Sequence, residues 1–135
     1  MAFVKDGKLD EKALLDAQRL SARAGLRMTC RELEMHRWNQ VQQRDRLLGC
    51  SLTGWQDMVN AVGMTREEQA ALLDRLRAAA HIAAEKAATS LGLNAPLLVT
   101  TIKPEGTRSN RAACSSRVMP TALTMSCLLY TSRCV

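Results

Sequence analysis

Aromatic residues are scarce in this chain. They make up 3% of its 135 residues, with two tryptophans, one tyrosine and one phenylalanine. This is few for a self-sufficient core, and few for a nucleic-acid surface that stacks bases. Long apolar runs are also missing, since none approaches the roughly 20 residues that a membrane-spanning helix needs. No long apolar segment follows the charged start, so we expect no secretory signal peptide and a cytoplasmic location.

Acidic residues are absent from residues 108–135, which carry four arginines and three of the five cysteines. Residues 1–107 hold the other basic side chains and all 13 acidic ones, so the formal charge of +6 divides into +4 for the tail and +2 for the rest. An apolar fraction of 47% and a charged fraction of 24% are ordinary for a globular protein. The composition indicates one domain, or part of one, and a tail of different character.

Two amphipathic helices are predicted from their caps and apolar spacing. Asp10 caps the first, which ends at Gly25. Thr65 and Glu68 form a capping box for the longest helix, which reaches about Leu91. The predicted buried stripes are Leu14, Ala17, Leu20 or Ser21, and Ala24 in the first helix, and Leu72, Leu76, Ala79, Ala80, Ala83 and Ala87 in the long one.

The remaining elements complete an α/β pattern. A short strand is expected at residues 2–4 before a turn at 6–8, and a helix at residues 55–62. The polar segment 29–46 is expected to form a short helix and a turn, with Trp38 and Val41 as inward anchors. Residues 47–53 and 97–102 are predicted strands, the first of them buried. Strands that alternate with helices favour a parallel arrangement.

The segment from Lys103 to Thr107 follows the last predicted strand and contains Pro104, Glu105 and Gly106. Backbone amides in a loop of this kind can hold an anion, and a helix N-terminus beside it would strengthen the effect. The spacing does not match a Walker loop. On spacing alone, a plain turn at the end of a strand is the more economical interpretation.

Other reactive side chains form no recognisable site. Cys30, His36 and Cys50 do not have the spacing of a zinc site, and neither His36 nor His81 has a Ser or Cys partner at catalytic spacing. We therefore predict no metal site and no catalytic residue. Arg19, Arg23 and Arg27 recur every four residues on one helix face, which suits either phosphate binding or salt bridges with acids such as Asp16.

Four stretches together resemble a known enzyme family. They are Met1–Asp10, Ala17–Gly25, Gln43–Asp57 and Val99–Thr107. In this order and spacing they are similar to the late part of the catalytic barrel of adenosylcobalamin-dependent (class II) ribonucleoside-triphosphate reductases. The resemblance covers residues 1–107 and implies part of a ten-stranded α/β barrel, in which 47–53 and 97–102 are barrel strands.

The resemblance also implies the chemistry of the whole enzyme. The family reduces ribonucleoside triphosphates to 2′-deoxyribonucleotides with adenosylcobalamin, which generates a cysteine thiyl radical, and with a thioredoxin-like reductant. In the family's order the thiyl cysteine, the catalytic glutamate and the reducing cysteine pair precede Met1, and neither Cys30 nor Cys50 matches them. The expectation is therefore an inactive fragment in which Met1 is an internal residue of the parent.

The loop at the end of the second barrel strand is the part of the family's machinery that this chain matches. The resemblance implies that Pro104, Glu105, Gly106 and Thr107 form the substrate-phosphate loop. The amides of Gly106 and Thr107, together with the Thr107 hydroxyl, would bind phosphate oxygens. Glu105 would face away and orient the loop.

Agreement with the family ends after Thr107. Cys114–Val118 faintly resembles a later Ser-Ser element, but the acid-free composition fits a reading-frame slip at least as well. The last nine residues, Cys127–Val135, resemble the translation of a sequencing-library transposon end joined to its inverted copy. Residues 108–135 are accordingly expected to be an unstructured tail that is frame-shifted and adapter-derived.

Two other functions remain open from the residues alone. A small basic helical module could bind nucleic acid through Arg19, Arg23, Arg27 and the tail. The apolar stripe of the long helix could instead mediate a helix–helix interaction. The fragment hypothesis predicts neither a nucleic-acid nor a membrane partner, and it predicts poor solubility because an isolated barrel sector exposes strand edges.

Overall fold

The computed structural model describes residues 3–101, and this part of the chain is rich in helix. A two-stranded sheet comes first and four helices follow. The elements are β1 (Val4–Lys5), β2 (Lys8–Leu9), α1 (Glu11–Met28), α2 (His36–Asp45), α3 (Trp55–Val62) and α4 (Arg66–Ser90).

The predicted turn at residues 6–8 closes a β-hairpin. β1 and β2 are antiparallel, with Val4 opposite Leu9 and Lys5 opposite Lys8. Asp6 and Gly7 lie between them with φ values of 51° and 72°. Two consecutive positive φ angles match the twist that a two-residue hairpin loop requires, and an Asp-Gly pair supplies them at low cost.

The local signals at the starts of α1 and α4 are confirmed. The Asp10 carboxylate accepts a hydrogen bond from the Ala13 amide, at 3.0 Å. Thr65 and Glu68 exchange both bonds of the capping box. The predicted end of α1 at Gly25 is wrong, because the helix continues to Met28. A Cβ at Gly25 would lie 3.8 Å from a methyl group of Leu48, an ordinary contact, so this glycine lies inside the helix where α1 meets the 48–50 segment.

α1 and α4 pack side by side and form most of the core. Their N-terminal parts meet in one apolar cluster that includes Leu14 and Leu76, and their C-terminal parts in another that includes Leu26 and Ala84. The two helices therefore run in the same direction. Of the two alternatives predicted for the third position of the α1 stripe, Ser21 is confirmed, because it is buried, whereas Leu20 is 60% exposed. Six buried residues of the two helices are absent from the predicted stripes: Gln18, Ala22, Leu26, Leu73, Ala84 and Ala88.

Residues 48–50 and 98–101 lie side by side in parallel, as the α/β pattern predicts. Cys50 and Thr100 form an isolated parallel bridge. The Cys50 amide donates to the Val99 carbonyl at 3.1 Å, and the Leu48 amide donates to the Leu98 carbonyl at 2.8 Å. The second bond lies one residue out of the register of the first. That irregularity limits the two predicted strands to a single bridge within residues 3–101.

The orientation predicted for segment 29–46 is wrong, although α2 itself is confirmed. Trp38 and Val41 are 40% and 41% exposed, and Met35 lies on the same outer side. The inner side is polar: the Gln42 amide nitrogen donates to the carbonyls of Thr29 and Arg31 at 3.2 and 3.0 Å. α2 therefore docks through hydrogen bonds to the backbone that follows α1, and its apolar face is left exposed.

The larger architecture stays a prediction. Residues 3–101 contain helices, one hairpin and one parallel bridge, so they do not by themselves form a ten-stranded barrel. The predicted loop at 103–107 and the tail at 108–135 lie outside the described residues.

Candidate functional site

The carboxyl ends of the two parallel segments lie at one edge of the fold. After Cys50 the chain continues through residues 51–54 into α3, and after Thr101 it continues toward the 103–107 loop. Parallel neighbours end at the same edge, and open α/β folds bind their ligands there. Ser51 is buried at this edge, and Thr101 is half-buried. The edge is where a phosphate loop would be expected.

The N-terminus of α3 belongs to the same edge. Gly54 caps the helix with a φ of 72°, in the left-handed region, and no side chain caps its first amides. Uncapped amides and the positive end of a helix dipole both favour an anion. Asp57 already places one carboxylate in this first turn. The edge is thus able to accept an anion, but α3 alone does not define a site.

The four predicted phosphate-binding residues, Pro104, Glu105, Gly106 and Thr107, lie outside the described part of the chain. What the structure describes is the segment that leads to them. Thr100 is held by the bridge to Cys50, and the Thr101 amide donates to the Cys50 carbonyl at 3.4 Å. The phosphate-binding roles of residues 104–107 therefore stay predictions.

Cys30, His36 and Cys50 are not brought together as a ligand set. Within residues 3–101 no group of three or more His, Cys, Asp or Glu side chains is placed to hold a metal ion. Cys30 is exposed, whereas Cys50 lies in the core. The His36 ring forms a hydrogen bond with Gln40 in its own helix, at 3.0 Å. Burial raises the pKa of the Cys50 thiol, which disfavours the reactive thiolate form.

A buried arginine, Arg46, is a feature that the sequence did not predict. Arg46 is only 7% exposed and adopts a left-handed conformation at the end of α2, with a φ of 48°. One of its terminal nitrogens donates to the Thr29 carbonyl at 2.9 Å and to the Thr29 hydroxyl at 3.1 Å. Its Nε has no hydrogen-bond partner within the described residues. A run of polar residues gave no signal that this arginine would be buried.

The three arginines of α1 share one helix face, as their spacing predicts, and this face forms one side of a cleft. The cleft has a volume of about 470 Å³ and lies between α1 and α4. Arg19 forms a 2.6 Å ion pair with Asp16, so the salt-bridge interpretation is confirmed for this residue. Among the ion pairs of residues 3–101, none involves Arg23 or Arg27.

None of the four described helices combines the length and the apolarity of a membrane-spanning segment. Comparison of the chain with protein-family models, with curated proteins and with solved structures finds no match in any of the three. The resemblance of residues 1–107 to a reductase family therefore stays a proposal.

Proposed function

We propose that residues 1–107 are part of the catalytic barrel of a class II ribonucleotide reductase and contribute its substrate-phosphate loop. The whole enzyme would reduce ribonucleoside triphosphates with adenosylcobalamin and a thioredoxin-like reductant. Pro104, Glu105, Gly106 and Thr107 would form the loop, with the Thr107 hydroxyl and the amides of Gly106 and Thr107 as donors to phosphate oxygens.

The parallel bridge between Cys50 and Thr100 is the observation that carries this proposal. Two segments that the resemblance assigns to barrel strands are hydrogen-bonded neighbours with the same direction. Helices α3 and α4 lie between them in the sequence, and the long helix α4 packs on Val99 and Cys50. A strand, a crossover helix and a parallel strand form the repeating unit of an α/β barrel.

The uncovered side of the paired segments also supports a larger sheet. Leu47, Leu97 and Leu98 are 45%, 68% and 57% exposed, whereas Leu48 and Val99 lie in the core against α1 and α4. Strands of parallel sheets are normally buried on both faces. The exposed leucines are therefore expected to be covered by further parts of the parent enzyme.

Adenosylcobalamin does not fit the described residues. The cleft between α1 and α4 is lined by residues of these helices and by Leu91, and by no described residue of the paired segments, whose ends are where α/β folds place reacting ligands. The His36 ring is engaged with Gln40. The cofactor would supply the radical chemistry of the whole enzyme. We assign it no ligand in residues 3–101.

The parent gene and its product test the proposal. We expect an open reading frame that continues upstream of Met1 and a change of frame near the codon of Arg108. The intact enzyme should reduce ribonucleoside triphosphates when adenosylcobalamin and a dithiol are supplied. Thr107→Val should raise the KM for the triphosphate by about 10- to 100-fold, because a hydrogen bond to a charged group contributes roughly 1.5–3 kcal/mol.

Thr89→Val is the matched control, because the Thr89 hydroxyl donates only to the Glu85 carbonyl of its own helix, at 3.0 Å. It should leave the KM unchanged. A stop codon in frame directly upstream of Met1 would contradict the proposal. So would turnover by the 135-residue chain alone, or equal KM values for the two threonine variants.

A further inference from the structure

The cleft between α1 and α4 has charged walls and an apolar floor. Arg19, Arg23 and Arg27 line one side, and Lys86 stands on the other. No acidic side chain is among the described residues that line it. The floor and the far rim come from α4 and its C-cap residue, and consist of Ala79, Ile82, Ala83, Ala87, Ser90 and Leu91.

The positive charges form a row. Positions 19, 23 and 27 follow one another by four residues, and four residues of helix rise about 6 Å, so the row extends over about 12 Å. Arg19 is neutralised by Asp16, but the ion pairs of residues 3–101 include neither Arg23, Arg27 nor Lys86. Like charges that converge on a cleft raise the local concentration of anions.

The apolar part of the cleft is open to contact. The side chains of Ile82 and Leu91 are 51% and 45% exposed. Ala79, Ala83 and Ala87 lie one turn apart on the same helix, and such small side chains let a partner backbone come close. The exposed Ile82 and Leu91 provide apolar contact area at the rim.

A row of positive charges beside an apolar floor favours some classes of anionic ligand over others. A free phosphate group is bound best by helix N-terminal amides, whereas this row lies along helix sides whose amides are already bonded. Nucleic acid is recognised through phosphates and stacked bases, and the described lining offers no aromatic side chain for stacking. An amphipathic helix with acidic flanks uses both the apolar floor and the cationic rim.

We infer that the cleft between α1 and α4 is a docking groove for an acidic amphipathic helix of a partner protein. The apolar side chains of the partner helix contact Ile82, Leu91 and the alanine floor. Its carboxylates pair with Arg23, Arg27 and Lys86. The inference does not depend on the proposed reductase function, because it rests on the α1–α4 surface and not on the strand ends.

Binding to the 135-residue chain is measured by fluorescence anisotropy with a labelled helical peptide. The peptide has about 14 residues, or about 21 Å of helix, with leucines at i, i+3, i+4 and i+7 and glutamates on the flanks. We expect saturable binding that weakens between about 50 and 500 mM salt. The double variant Arg23→Gln/Arg27→Gln should weaken binding about five- to tenfold, since two partly exposed ion pairs are lost.

Arg77→Gln is the matched charge control, because Arg77 is an exposed residue of α4 that does not line the cleft. It should leave the affinity within about twofold. Ile82→Ala should weaken binding about three- to fivefold through lost apolar contact. All of these variants replace exposed helical residues with good helix formers, so their circular dichroism spectra should match that of the parent chain.

Four results would overturn the inference. The first is equal binding of a peptide with the same composition in scrambled order. The second is an equal effect of Arg77→Gln and the double variant. The third is tighter binding of a single-stranded oligonucleotide than of the peptide, which would assign the groove to nucleic acid. Loss of self-association in the double variant, with peptide binding intact, would assign it to a second copy of this chain.

Discussion

Cys30 and Cys50 show how position decides the chemistry of a thiol. Cys30 follows α1 and is exposed, whereas Cys50 is packed between the helices and the 98–101 segment. Removal from water penalises the thiolate, so burial raises the pKa of Cys50, and a hydrogen bond with Ser21 offsets this only in part. The nucleophile is the thiolate, so Cys50 is protected both by its protonation state and by lack of access.

We expect iodoacetamide to alkylate Cys30 at the rate of an exposed thiol and Cys50 at least about 100-fold more slowly in the native chain, because only exposed thiolates react readily. Peptide mapping by mass spectrometry at successive times measures both rates in one sample. In concentrated urea the difference should disappear. Equal native rates would mean that Cys50 is not in the core.

Helix α2 contacts the rest of the fold through its polar side. The Gln42 side chain donates to two backbone carbonyls at and after the end of α1, and the side-chain Oδ1 of Asn39 accepts from the Leu33 amide at 3.4 Å. Met35, Trp38 and Val41 point away from this contact and remain exposed. Hydrogen bonds to backbone groups therefore set the orientation of α2, and the apolar side gains little from the fold of residues 3–101.

Gln42→Ala should therefore lower the free energy of unfolding by about 1–2 kcal/mol, because two hydrogen bonds to backbone carbonyls are lost. Trp38→Ala should change it by less than about 0.5 kcal/mol, as is usual for exposed sites. Urea unfolding at low micromolar concentration, followed by far-ultraviolet circular dichroism, gives both values. A larger loss for Trp38→Ala would show that the apolar face of α2 is buried after all.

At the scale of the whole molecule, the fold of residues 3–101 leaves a leucine-rich edge exposed. Leu97 and Leu98 belong to the segment that pairs with 48–50, and Leu47 lies at the start of that neighbour. An exposed apolar edge with unpaired backbone groups is a template for association with other chains. Because Leu98 is more than half exposed, its replacement by lysine removes apolar surface without emptying the core.

The isolated chain should therefore self-associate at about tens of micromolar, and Leu98→Lys should shift it toward monomer, because charged residues on an edge block strand pairing. Sedimentation velocity over a concentration series measures the effect. Leu93→Lys is the contrasting variant, because Leu93 packs against the core, and this change should destabilise the fold. A parent chain that stays monomeric throughout the series would contradict the expectation.

Local chemistry accounts for the elements that were predicted well. Asp10, the Thr65–Glu68 pair and the Asp6-Gly7 turn act through bonds and φ angles within a few residues, so their effects are visible in the sequence. The strand segments were located, but their single bridge and the exposure of Leu47 depend on which neighbours are present. The prediction of a phosphate loop at residues 103–107 is not tested, since these residues lie outside the described part of the chain.

The sequence by itself determined where α1 and α4 start, which of their faces is largely buried, and that the segments around residues 50 and 100 run parallel, although they pair through a single bridge and not as full strands. Tertiary structure decided the orientation of α2, the burial of Arg46 and the cleft that joins Arg23 and Arg27 to Lys86. The physical reason is how far apart the interacting groups lie in the sequence. Caps and periodicity involve neighbours in the chain, whereas these three features depend on groups brought together only when α1, α4 and the connecting segments pack.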